Sequence, residues 1–177
     1  MPESNHKGKA TYFIPKESLS GSCYFEFQPG KYNVGKHWFS KMGATKLDGS
    51  LYLYGDDDGL FDYSAIAPFT YLIAGSHPDS NAAKSFDYCG ITFIDENDGA
   101  VLIKSLREFA ALLGEGRQIY ESLSLMKLYD PGKDGSWREE NGIEKLDLII
   151  LKNTAEGLAD WIEKAITKYK WVSVLGI

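Results

Sequence analysis

The C-terminal quarter carries the pattern that most restricts the fold. Leu158, Trp161, Ile162, Ala165, Ile166 and Tyr169 recur at helical spacing and so share one face of a helix. An apolar face of that size has to be buried against a second layer. Asn153, with Glu156 at the N3 spacing, supplies a capping box to open the helix. Lys164, Lys168 and Lys170 suit the negative end of its dipole. The predicted helix covers about 154–169. Before it, Leu146 to Leu151 is a nearly continuous apolar run, the pattern of a strand buried on both faces. After it, Val172 to Leu175 reads as a short strand, so the chain closes on a predicted strand–helix–strand unit.

Upstream, strand patterns dominate. Ser22 to Gln28 stops at Pro29-Gly30, Leu51 to Tyr54 at Gly55, Pro68 to Ala74 at Gly75, and Tyr88 to Ile94 at the turn-like Asp95-Glu96-Asn97-Asp98-Gly99. Tyr32 to Val34 fits a short strand or a turn, and His37 to Met42 fits neither period. Ala100 to Ile103 reads as the return arm of a hairpin. Ser105, with Glu108 three residues on, then opens a helix whose face is Leu106, Phe109, Ala110 and Leu113, stopped by Gly114 and Gly116. Ile119 to Leu128 fits strand or helix, and residues 130–142 form a polar loop. Strands, a helix after residue 104, a mixed middle and a terminal helix make an α+β pattern. We expect one domain over residues 1–177, with a mostly antiparallel sheet and a loose polar start at 1–10. Phe-Asp-Tyr occurs at Phe61 and again at Phe86, which is too little for a repeat.

Aromatics at 14% and 18 glycines agree with strands joined by turns. Cys23 and Cys89 are too few for a disulfide scaffold and read as two buried free thiols, with a single bridge between them as the alternative. The start lacks an apolar signal core, and no apolar run approaches the roughly 20 residues of a spanning helix. Cytoplasmic localisation is the expectation. The net charge of −6 is unevenly spread: residues 51–100 hold nine acidic residues against Lys84 alone, whereas residues 1–50 are net +3. The acidic block repels phosphate, so nucleic acid is not an expected partner through that face and a cationic protein or a cation is, while the short apolar runs leave no membrane partner expected.

Catalytic equipment is sparse. Gly55-Asp56-Asp57-Asp58-Gly59 groups carboxylates, but not at the alternate spacing of a calcium loop, and it reads as a solvated turn or a protein-binding patch. His6, His37 and His77 are the only histidines, and none shares a nucleophile signature with Cys23 or Cys89. No Gly-x-Ser-x-Gly, Cys-x-x-Cys, His-Glu-x-x-His, Walker or Gly-x-Gly-x-x-Gly motif occurs, so no metal, cofactor or catalytic residue is assigned. Tyr52, Tyr54, Tyr63, Tyr71 and Tyr88 crowd the acidic block. Most suit a core, and any exposed beside the aspartates would anchor a protein contact.

An acidic, tyrosine-rich block on a domain of this size, with a strand-rich start and a terminal helix, resembles the immunity proteins of bacterial polymorphic toxin systems (contact-dependent growth inhibition, type VI and Rhs effectors). The resemblance is one of general character along the whole chain. It implies a non-enzymatic protein that binds one cognate toxin, often a basic nuclease, and blocks it. Asp56, Asp57, Asp58, Asp62, Asp95, Glu96 and Asp98 are the expected partner-binding residues. The alternatives are a small hydrolase or transferase with a site near His37 or the acidic turns, and a general adaptor domain.

Overall fold

The computed structural model describes residues 9–15, 17, 24–31, 49–54, 67–76, 91–132 and 146–176. Its described elements run β1 (Tyr24–Pro29), β2 (Leu51–Tyr54), α1 (Ala67–Ala74), β3 (Ile91–Ile94), α2 (Glu96–Gly114), α3 (Ile119–Leu125), α4 (Leu148–Tyr169) and β4 (Val172–Gly176). The strands form an antiparallel sheet in the order β2-β1-β4-β3. This is the expected α+β fold.

Register fixes what each sheet face carries. Phe25 pairs with Leu53, Phe27 with Leu51 and Val174, and Ile94 with Val172. Directly opposed residues share a face, so these side chains line one surface. They join the buried core with Leu102, Leu106 and Phe109 of α2 and Leu151, Leu158 and Ile162 of α4. Trp161 of α4 meets Phe27 edge-to-face at 6.4 Å between ring centroids. The two long helices pack on each other as well as on the sheet, and α1 and α3 pack beside α2. The opposite sheet face presents Glu26, Gln28, Tyr52 and Ser173.

A strap from the N-terminal region ties α4 to the sheet. Asn153 Nδ2 donates to the Ala10 carbonyl (3.1 Å), the Tyr12 amide donates to Thr154 Oγ1 (2.8 Å), and the Asp147 amide donates to the Tyr12 hydroxyl (2.8 Å). Phe13 then bridges to Leu53, and the Ile14 amide donates to the Tyr52 carbonyl. Ala10, expected at the end of the loose start, takes part in the strap through its carbonyl.

Local expectations are corrected in three segments. Pro68 to Ala74 lies in α1, not in a strand. Proline is tolerated in a first helical turn, and a short segment buried all round has no helical period to read. Leu146 to Leu151 is not a strand either. Asp147 caps α4, accepting from the Ile149 and Ile150 amides, and the apolar run is the helix's first turns. There Leu151, Thr154 and Ala155 are buried on one helical face while Ile149 is 71% exposed, so the apolar run spans both faces of the helix and shows no period. The cap is thus Asp147 rather than Asn153, and the chain ends on helix–strand. Finally, Asp95 to Ile103 is neither turn nor hairpin. It opens α2, whose N-cap is Asp95 rather than Ser105. Gly99 lies inside this helix because a Cβ there would come within 1.9 Å of Ile166 Cδ1. Its role is a close helix crossing and not a bend. Ile119 to Leu125 resolves as helix.

Candidate partner-binding surface

At one end of the sheet, α2 begins, α4 ends and β4 enters, and the described part of the acidic block lies here. Asp95 Oδ1 accepts from the Asn97 and Asp98 amides, each at 2.9 Å. Two otherwise orphaned helix amides are satisfied in this way. Glu96 and Asp98 follow in the first turn, where negative charge also opposes the helix dipole. Glu96 accepts from Lys170 at 2.8 Å, with both side chains more than half exposed. Lys170 is brought there by its own backbone. It ends α4 in the left-handed conformation (φ 68°), its amide donating to the Ile166 carbonyl. Asp95, Glu96 and Asp98 are thus adjacent, and Asp56, Asp57, Asp58 and Asp62 lie outside the described residues.

Aromatic residues stand close to these acids along the chain, Phe93 two positions before Asp95 and Trp171 next to the Lys170 that bonds Glu96. Tyr169, at 44% exposed, is the last residue of α4. Trp171 and Phe93 are half-buried. The Lys31 ammonium lies 4.4 Å from the Trp171 ring centroid and 5.4 Å from that of Phe93, within cation–π range of both. Lys168 lies 4.9 Å from the Tyr169 ring centroid. The backbone explains the meeting at Lys31. Gly30 has φ +92°, which breaks the strand alternation just after β1. Its amide donates to the Trp171 carbonyl at 2.7 Å and its carbonyl accepts from Ser173 Oγ at 2.8 Å, so β1 and β4 stay joined at the turn. Sequence reasoning passed over Lys31, Phe93 and Trp171, because 140 positions separate the first from the last. The Pro29-Gly30 turn signal alone marked the place.

A second polar group sits on the sheet face away from α2 and α4. Glu26, at 3% exposed, accepts from Gln28 Nε2 at 2.7 Å and from the Tyr52 hydroxyl at 3.3 Å. The alternation of Phe25-Glu26-Phe27-Gln28 would ordinarily turn the polar residues to water. Here both are buried, and the hydrogen bonds offset their desolvation. Tyr52 thus serves the sheet, and Tyr71 meets Tyr129 edge-to-face at 5.8 Å, so neither is an exposed anchor.

Other ion pairs lie along and between the helices. Arg107 of α2 bonds Asp160 and Glu163 of α4, and these carboxylates raise its pKa. Arg117 bonds Glu121 and Glu115 with the same result. The hydrogen bond from Lys152 holds Glu156 below the usual carboxylate range, with Lys9 adding to it. Burial raises the Tyr12 phenol above its ordinary value.

Among the described residues no three His, Cys, Asp or Glu side chains group as metal ligands, and no helix is long and apolar enough to cross a membrane. His6, His37, His77, Cys23 and Cys89 lie outside the described residues. The molecule is thus defined as an α+β domain with a mixed acidic and aromatic surface at one end of its sheet. No protein-family model, no curated protein and no solved structure matches the chain.

Proposed function

We propose that this protein binds a cationic protein partner through the surface around the start of α2, and that the partner is a cognate bacterial toxin which it neutralises as an immunity protein. The observation that carries the reading is the bond from Lys170 to Glu96, which brings the acidic start of α2 to the end of α4, where Tyr169 and Trp171 flank Lys170 in the chain. Aromatic anchors beside a charged rim are the usual composition of a protein-recognition site. The ion pair with Lys170 does not use up Glu96. An exposed pair contributes about 0–1 kcal/mol, so a partner's arginine can take over the carboxylate at little cost. The acidic residues from 56 to 62 extend the same charge bias in sequence. A basic nuclease would offer a groove built for phosphate, and a carboxylate surface can fill it instead.

The test is growth rescue. The protein is co-expressed with the secreted toxin encoded beside its gene, as wild type and with Asp56, Asp57, Asp58, Glu96 and Asp98 reversed to Lys. Rescue by the wild type and its loss in the variant are expected. Equal rescue by both would remove the acidic surface from the mechanism, and no rescue by either would remove the immunity reading.

A further inference from the structure

The Phe93–Trp171 pair already holds a cation, and that cation belongs to the chain itself. Lys31 is exposed, and its ammonium lies within 6 Å of both ring centroids. Lys31 is the group that links the two rings. Phe93 pairs with Ser173, so Trp171, two residues before Ser173 and just ahead of β4, lies diagonal to Phe93 on the same side. The notch is rigid on the Trp171 side, where the Gly30 amide and the Ser173 hydroxyl close the turn. Glu96 and Asp98 open the helix that follows β3 directly, and Lys170, next to Trp171, is bonded to Glu96. An aromatic notch beside carboxylates suits a guanidinium, which stacks on a ring while bonding an acid. A flexible, exposed lysine is held only weakly by such rings, so it is readily displaced.

We infer that Phe93 and Trp171 form a recognition notch for an arginine side chain of the cationic partner, and that Lys31 occupies it as an internal stand-in until the partner arrives. This rests on the reading above that the surface takes a cationic protein. The occupant is an arginine-bearing segment, favoured by the acidic charge beside the notch and by the cation it already seats.

The experiment titrates hexa-arginine into the full-length protein and follows the Trp171 indole resonance in two-dimensional NMR, assigned by its absence in Trp171→Phe. Hexa-glutamate is the control peptide. The wild type is compared with Lys31→Gln and with Lys104→Gln, which removes an equal charge from the exposed face of α2. Hexa-arginine is expected to shift the Trp171 resonance, and Lys31→Gln is expected to tighten binding about two- to fivefold over Lys104→Gln. An unmoved Trp171 resonance, or equal tightening in the two variants, overturns the notch. The neighbouring-gene toxin is titrated in parallel. Toxin binding that persists while the peptide leaves Trp171 untouched sinks the notch alone, whereas loss of toxin binding in the wild type sinks the wider reading.

Discussion

A single carboxylate can be asked to do two things, and Asp95 shows how to separate them. Its Oδ1 satisfies two amides at the start of α2, while its charge belongs to the proposed partner surface. Asparagine caps a helix about as well as aspartate, but it carries no charge. Asp95→Asn is therefore expected to keep stability within a few tenths of a kcal/mol and to weaken partner binding. Asp95→Ala should lose about 1 kcal/mol in urea denaturation as well. An Asn variant as unstable as the Ala variant would mean that the cap depends on charge. The residue scale is also where the sequence was least legible. Glu26 looks like a solvent-facing strand residue, yet it is buried against Gln28 and Tyr52. Lys31 carries no local signal at all, because what matters about it is contributed by Phe93 and Trp171 from other strands.

Elements were legible where burial is one-sided. The end of α2 from Leu106 to Leu113 and the second half of α4 show a helical period, because one face meets the core and the other meets water. Strands β1, β2, β3 and β4 each fell within or close to an apolar run stopped by turn residues. Two failures come from uniform apolarity, which carries no period: Pro68 to Ala74 is buried nearly all round, whereas Leu146 to Leu151 adds the exposed Ile149 to the buried Leu151. Gly99 misled for a different reason. Its glycine serves a helix crossing that only the tertiary structure reveals. Gly99→Leu should gain about 1 kcal/mol in helix propensity and lose more by forcing Ile166 aside. The expected net loss is about 2 kcal/mol by chemical denaturation. A variant as stable as the wild type would contradict a close α2–α4 contact at this point.

For the whole molecule, the strap closes the architecture. Residues 10–14 join α4 to the β2 edge, and Tyr12 is the hinge pin of that join. Burial keeps its phenol protonated to higher pH in the folded protein than in the unfolded chain. A raised folded value means that the contribution is complete below the ordinary tyrosine pKa of about 10 and is lost as pH rises through the folded value. Stability measured from pH 8 to 11 should therefore fall more steeply in the wild type than in Tyr12→Phe. Identical slopes would place the phenol in contact with water. The α+β class and the antiparallel sheet could be read from the order of elements, whereas the strap could not, since its bonds span more than 130 positions.

Surface charge generally acts on encounter more than on the final contact, so the association rate is the most direct measure of the proposed surface. The cationic toxin that the proposed function calls for is mixed in stopped flow with the wild type and with Glu96→Lys/Asp98→Lys, at low and at physiological salt. The variant is expected to associate at least tenfold more slowly at low salt, with the difference shrinking as salt rises. Equal rates at both salt concentrations would contradict docking of a cationic protein at this end of the sheet.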